Sequence, residues 1–164
     1  MLKLTVEKKF TEALKTVRKM NFLPAICGRV CPQENQCQKE CTLGKMKGGT
    51  VPPLSIGNIE RFLADNYSDE LTIEIPAATT GKKIAIAGSG PGGLTCAGEL
   101  AAMGHKAVIF EALHKPGGVL IYGIPEFRLP RYILRREIEF LRRLGVELVM
   151  NTIVGKTITV EEIL

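Results

Sequence analysis

The chain has 164 residues, with 22 Lys and Arg against 17 Asp and Glu, 45% hydrophobic residues and no Trp. That hydrophobic share is enough for a packed core and excludes a mainly disordered or low-complexity chain. The length suits one domain or two small ones, and no apolar run approaches the roughly 18 residues a membrane helix needs.

The N-terminus mixes charge with apolar residues at helical spacing, so it is not a secretory signal, and a soluble cytoplasmic protein is expected. Val6, Phe10, Ala13, Leu14 and Val17 recur every three or four residues, which predicts one amphipathic helix ending before Pro24. Four of the five cysteines follow closely, Cys27, Cys31, Cys37 and Cys41, in a Pro-, Gly- and polar-rich segment without sustained periodicity. A metal would have to supply much of that segment's order. After Pro52-Pro53, Ser55 can cap a short helix whose Ile56, Ile59 and Leu63 share a face. A connector with some extended character at Leu71–Ile75 leads to an expected domain boundary near residue 78.

Beyond it the pattern changes. Lys83–Ala87 is a short apolar strand, the glycine-rich turn Gly88–Gly93 follows, and Leu94–Met103 reads as a helix closed by Gly104. Ala107–Phe110 is a second strand ending at Glu111. This is one β-α-β unit, which requires parallel strands. A Gly117-Gly118 turn, an Arg-rich helix and a strand at Glu147–Met150 complete the chain. Six arginines fall between Arg128 and Arg143, but Leu134, Ile138 and Leu141 share one helical face. The arginines therefore read as a solvated face, and no aromatic interleaving supports nucleic-acid binding.

Gly88-Ser89-Gly90-Pro91-Gly92-Gly93 fits G-x-G-x-x-G. The first glycine allows the tight strand-to-helix turn, and the second lets backbone N–H groups approach a pyrophosphate. The third lets helix and strand pack closely, and the helix dipole favours the anion. Glu111 ends the second strand, where a carboxylate can accept hydrogen bonds from a ribose. The pattern indicates dinucleotide binding without separating NAD from FAD. The cysteines space as C-x3-C-x5-C-x3-C, which suits either an iron–sulfur cluster or a tetrahedral zinc. Pairing with a dinucleotide fold favours iron, since both centres handle electrons. Cys96, on the helix after the glycine turn, reads as a small core residue. His105 and His114 show no clear partner, and nothing suggests a hydrolytic triad.

Three stretches, NFLPAICGRVCPQENQCQKEC, LSIGNIERFLADN and the run from Lys82 through YGIPEFRLP, resemble the small (beta) subunit of NADPH-dependent glutamate synthase. They also resemble NAD(P)H-dependent ferredoxin oxidoreductase subunits and the N-terminal region of dihydropyrimidine dehydrogenase. The resemblance implies an α+β chain. A small helical, all-α ferredoxin-like iron–sulfur domain (1–78) would precede a partial α/β Rossmann-type FAD domain with a parallel sheet (79–164). It implies electron transfer between NAD(P)H and a partner large subunit or ferredoxin-type subunit through FAD and 4Fe-4S clusters. Gly88, Ser89, Gly90, Pro91 and Gly92 would then cradle the FAD pyrophosphate, with Glu111 on the adenosine ribose. Gly117, Gly118, Val119, Arg128 and Val154 would continue the FAD contact. Cys31, Cys37 and Glu60 match ligands of one cluster and Cys41 a ligand of the second, with Cys27 in the same motif. Read without the resemblance, Glu60 is an ordinary surface glutamate. The resemblance also implies a fragment: relatives have further cysteines upstream and an NAD(P)H domain downstream. The rival expectation is a non-enzymatic nucleotide-binding module with a structural zinc site.

Overall fold

The computed structural model describes residues 1–70 and 79–164, and the chain divides into two compact units, Met1–Leu71 and Thr72–Leu164. The expected strand character at Leu71–Ile75 and the boundary near residue 78 lie outside the described residues.

The first unit is helical: α1 (Leu2–Val6), α2 (Phe10–Arg18), α3 (Pro24–Val30), α4 (Thr42–Lys45) and α5 (Ile56–Tyr67), with short 3-10 turns between. The expected single N-terminal helix breaks in two, because Lys8 adopts a left-handed backbone with φ 57°. The cysteine segment is also more ordered than its composition suggests, since Pro24 at the first helical position starts α3, which carries Cys27. Proline suits that position because its fixed φ is helical and its missing N–H would have no partner there. Ala13, Leu14 and Val17 of α2, Ala25 and Ile26 of α3, and Leu63 and Ala64 of α5 form the buried core. Helices α3 and α5 reach backbone contact at two glycines. A Cβ on Gly28 would lie 2.8 Å from both the Gly57 carbonyl oxygen and the Arg61 nitrogen, and one on Gly57 would overlap the Gln33 side chain. Arg29, buried on α3, donates to Asp65 of α5 at 2.7 Å and fixes the same pairing. Ser55 stands at the N-cap of α5 but makes no side-chain capping bond.

The second unit holds a three-stranded parallel sheet in the order β1-β2-β3: β1 (Lys83–Ala87), β2 (Lys106–Phe110) and β3 (Glu147–Val149). The connections are α6 (Pro91–Ala102) between β1 and β2, then α7 (Val119–Tyr122) and α8 (Arg131–Arg143) between β2 and β3, with α9 (Val160–Ile163) last. The central strand reads KAVIF and buries Ala107, Val108 and Ile109; a run apolar on both faces is what a covered parallel strand requires. Leu94, Ala97 and Ala101 of α6 and Ile133, Leu134, Ile138 and Leu141 of α8 complete this core, as the periodicity of the Arg-rich helix predicts. Helix α6 starts three residues earlier than expected, again on a proline. Gly104 follows it with φ 84°, a left-handed termination that glycine adopts without steric cost. Cys96 corrects an expectation: it is exposed, on the solvent face of α6, not in the core.

Candidate functional site

All three strands end together. Ala87 pairs with Phe110 and Phe110 with Val149, so Gly88, Glu111 and Met150 leave the sheet at its carboxyl edge, where open α/β sheets bind ligands. Gly88 (φ 93°) makes the turn, and its N–H donates to the Phe110 carbonyl at 2.8 Å. A Cβ on Gly93 would overlap the Gly88 carbonyl oxygen; the helix can start this close to the strand only with glycine there. Cβ atoms on Gly90 and Gly92 would meet nothing within 4 Å. The space before the α6 N-terminus is therefore open, and the missing side chains leave backbone N–H groups accessible to an anion.

One buried network ties three segments into this cradle. Ser89 is fully buried. Its hydroxyl donates to Glu111 Oε2 and accepts from the Gly117 N–H at 2.9 Å, while its own N–H donates to the same carboxylate oxygen at 2.8 Å. Leu113 N–H donates to Glu111 Oε1 at 2.9 Å. Burial raises the Glu111 pKa, but the bonds from the Ser89 hydroxyl, then from the Leu113, Ser89 and Ala112 N–H groups, outweigh it and hold the carboxyl below its usual range. Gly118 (φ 52°) sits against Gly90, where an added Cβ would lie 2.9 Å from the Gly90 Cα. The structure thus brings Gly88, Ser89, Gly90, Glu111, Gly117 and Gly118 together. It also gives Ser89 an inward side chain that the glycine motif does not disclose.

The outer residues stand apart from that network. Val119 opens α7 and is 56% exposed. The Arg128 side chain is exposed, its N–H bonded to the Pro125 carbonyl at 3.0 Å, and Val154 forms an isolated bridge with Ile158. The histidines do have neighbours: His105 Nδ1 lies 2.5 Å from the Thr80 hydroxyl, and His114 Nδ1 lies 3.4 Å from the Tyr122 hydroxyl.

In the helical unit Asn21 links two of the expected metal ligands, and sequence reasoning missed it. Its Nδ2 donates to Glu60 Oε1 at 3.3 Å. Its Oδ1 accepts from Leu23 N–H at 3.0 Å and is 3.7 Å from the Cys27 thiol. The available signal was local: an Asn whose side chain bonds the backbone two residues on is a common turn before a helix. Burial pushes the Glu60 carboxyl up, with the Asn21 bond opposing it, so this is not an ordinary surface glutamate. Cys31 Sγ is 3.5 Å from Gln36 Oε1, and Cys37 is exposed. Cys41 accepts from Leu54 N–H at 3.4 Å. The backbone N–H groups of Leu54 and Gly44 pull its thiol below the usual range, aided by Leu43 and opposed by burial. The donor types, four soft thiolates and a carboxylate, suit iron–sulfur ligation. Among the described residues, however, no three His, Cys, Asp or Glu side chains converge tightly enough to hold a metal ion.

The sheet edge and its cradle define a dinucleotide-binding segment preceded by a helical cysteine-bearing one, and both match known families. Residues 1–71 match the family described as dihydropyrimidine dehydrogenase domain II, 4Fe-4S cluster, and residues 86–129 match the NAD(P)-binding Rossmann-like domain. Over nearly its whole length the chain is similar to glutamate synthase small chains and to PreT subunits. It is 38% identical to the NADPH glutamate synthase small chain of Escherichia coli K12, across 99% of this chain and 34% of that relative. It is 41% identical to that of Bacillus subtilis 168, across 94% and 31%. It is 39% identical to the NAD-dependent dihydropyrimidine dehydrogenase subunit PreT of E. coli K12, across 95% and 37%. The chain spans about a third of the length of these curated relatives. None of these matches supports the zinc-module alternative. No helix of the described residues is long and apolar enough to cross a membrane.

Proposed function

We propose that the chain is the iron–sulfur and FAD-entry part of a cytoplasmic NAD(P)H-dependent oxidoreductase of the glutamate synthase small-subunit type. It would pass electrons between NAD(P)H and a partner large subunit or ferredoxin-type subunit. Residues 1–78 form the all-α ferredoxin-like cluster domain in this reading, and 79–164 the first part of the FAD domain. The observation that carries it is the open cradle at the sheet's carboxyl edge, where Gly90 and Gly92 leave room and Gly118 closes against Gly90.

The residues present fit an adenine dinucleotide. Backbone N–H groups of the turn and the start of α6 face the space a pyrophosphate would fill, and Glu111 stands at the strand end where a ribose would lie. FAD, when bound, exchanges hydride with a nicotinamide and single electrons with metal centres. The chain's own task is binding and orientation. Gly88 turns the chain, Gly93 seats α6 on β1, and Ser89 holds the Gly117-Gly118 turn in register with the glycine loop. Val119, Arg128 and Val154 are the proposed outer FAD contacts. For the clusters, Cys31, Cys37 and Glu60 are the proposed ligands of one and Cys41 of the other, with Cys27 beside Glu60 through Asn21. Those donors do not converge among the described residues. Electron transfer needs no general acid or base.

The test is a visible absorption spectrum with iron, sulfide, zinc and flavin analysis on anaerobically purified protein. Flavin bands with a broad iron–sulfur shoulder are expected. A colourless protein with stoichiometric zinc would overturn the cluster assignment, and one that takes up no FAD would overturn the cradle assignment.

A further inference from the structure

A second concave surface lies behind the Gly117-Gly118 turn, and the dinucleotide reading does not use it. Between the turn at Lys115, α7 and α8 is an open cavity of about 880 Å³, within the size range of small-molecule sites. Its floor is apolar, from Ile121 and Leu134, and its rim carries Lys115, Arg131, Arg135 and Arg142. On α8 these arginines stand at i, i+4 and i+11, which places them on one face of the helix. Like charges at i, i+4 destabilise a helix unless an anion compensates them. One carboxylate lines the cavity, Glu139, 3.8 Å from Arg142. Among the described residues, neither Lys115 nor Arg135 has an acidic partner within ion-pair distance. Arg131 is already fixed, its guanidinium donating to the Leu120 carbonyl at 2.9 Å. Part of the cationic rim is therefore held in place before any ligand arrives.

The cavity and the cradle share one wall. Gly117 N–H faces Ser89, while a Cβ on Gly117 would point at Leu134 Cδ2, 2.8 Å away on the cavity floor. The geometry points to a binding site for a small organic anion on α7 and α8, separate from the dinucleotide cradle. Its ligand carries carboxylate, sulfonate or phosphate groups for the arginine rim and an apolar or aromatic body for the floor. Charge without an apolar floor would suit a bare inorganic anion, and an apolar floor without charge would suit any greasy surface. This cavity has both.

The test uses the protein as its organism makes it, with two probes: an anilinonaphthalene sulfonate dye and its uncharged parent, N-phenylnaphthylamine. Fluorescence titration should give saturable binding of one sulfonate per chain and at least tenfold weaker binding of the uncharged parent. Arg135→Glu and Lys115→Glu, both at exposed rim positions, should each weaken the sulfonate about fivefold or more. Circular dichroism would check that each variant is folded. Saturating FAD should leave dye binding unchanged. Equal binding of the two probes, non-saturating binding, indifference to both reversals or displacement by FAD would each overturn the second site. Displacement would leave the cradle reading intact, and failure of FAD to bind would leave this proposal untouched.

Discussion

Replacing Ser89 with alanine tests whether one hydroxyl holds the dinucleotide cradle together. Ser89 is 0% exposed, so water cannot replace what is lost. The hydroxyl donates to the ionised Glu111 carboxylate, and a hydrogen bond to a charged group contributes roughly 1.5–3 kcal/mol. It also accepts from Gly117 N–H at 2.9 Å, and stranding a buried donor costs roughly 1–3 kcal/mol. The two losses overlap through a shared cavity, so about 2–4 kcal/mol is expected for Ser89→Ala. Urea unfolding followed by circular dichroism gives the free energy, and hydrogen exchange gives the site: the Gly117 amide should lose protection while amides in the helical unit keep theirs. Acid unfolding adds an independent readout. Because the folded Glu111 pKa is lowered, its contribution is present above the unfolded value of about 4.3 and is lost as pH falls through the folded pKa. Removing the largest of the lowering bonds should start that loss at a higher pH. A change below about 0.5 kcal/mol with unaltered Gly117 exchange, well under the hydrogen-bond magnitudes above, would refute the clamp.

The cradle glycines should separate into two kinds. Gly92→Ala meets open space and should leave stability unchanged or raise it by about 0.5–1 kcal/mol while weakening FAD at least tenfold by flavin titration. Gly93→Ala should cost about 1–3 kcal/mol through its overlap with Gly88, measured by thermal melting. In the helical unit Gly28→Ala should cost a similar 1–3 kcal/mol by forcing α3 from α5, read as proteolytic susceptibility of residues 1–70. Asn21→Ala should cost about 1–2 kcal/mol and reduce the iron retained after gel filtration, assayed colorimetrically; unchanged iron content would remove Asn21 from the site.

The second unit was legible where backbone rules act alone. KIAIA, the glycine turn and KAVIF each state a local conformation, and their order fixes parallel pairing. In the Arg-rich helix, the buried stripe followed from spacing. Local rules failed where a single residue overrode a continuous pattern. The apolar period from Val6 to Val17 continues across Lys8, yet its left-handed backbone starts a new helix. Around Cys27, polar composition concealed a helix started by Pro24 and held by two glycines against α5. Cys96 was misplaced because apolar neighbours on α6, a helix with little amphipathic contrast, gave no sign of which face it occupied.

Glu111 shows why the position of a site residue is more legible than its bonding. Motif spacing places a carboxylate at the end of β2, and the ribose role follows by habit. In the structure three donors already bond it: the Ser89 hydroxyl and the N–H groups of Ser89 and Leu113. A carboxylate has about four lone-pair sites, so most of its capacity is already used inside the fold. Two of the three are backbone groups fixed by the turn and the strand end. The same serine therefore ties Glu111 to the Gly117-Gly118 turn, a link that the spacing of the glycine motif and the carboxylate does not disclose.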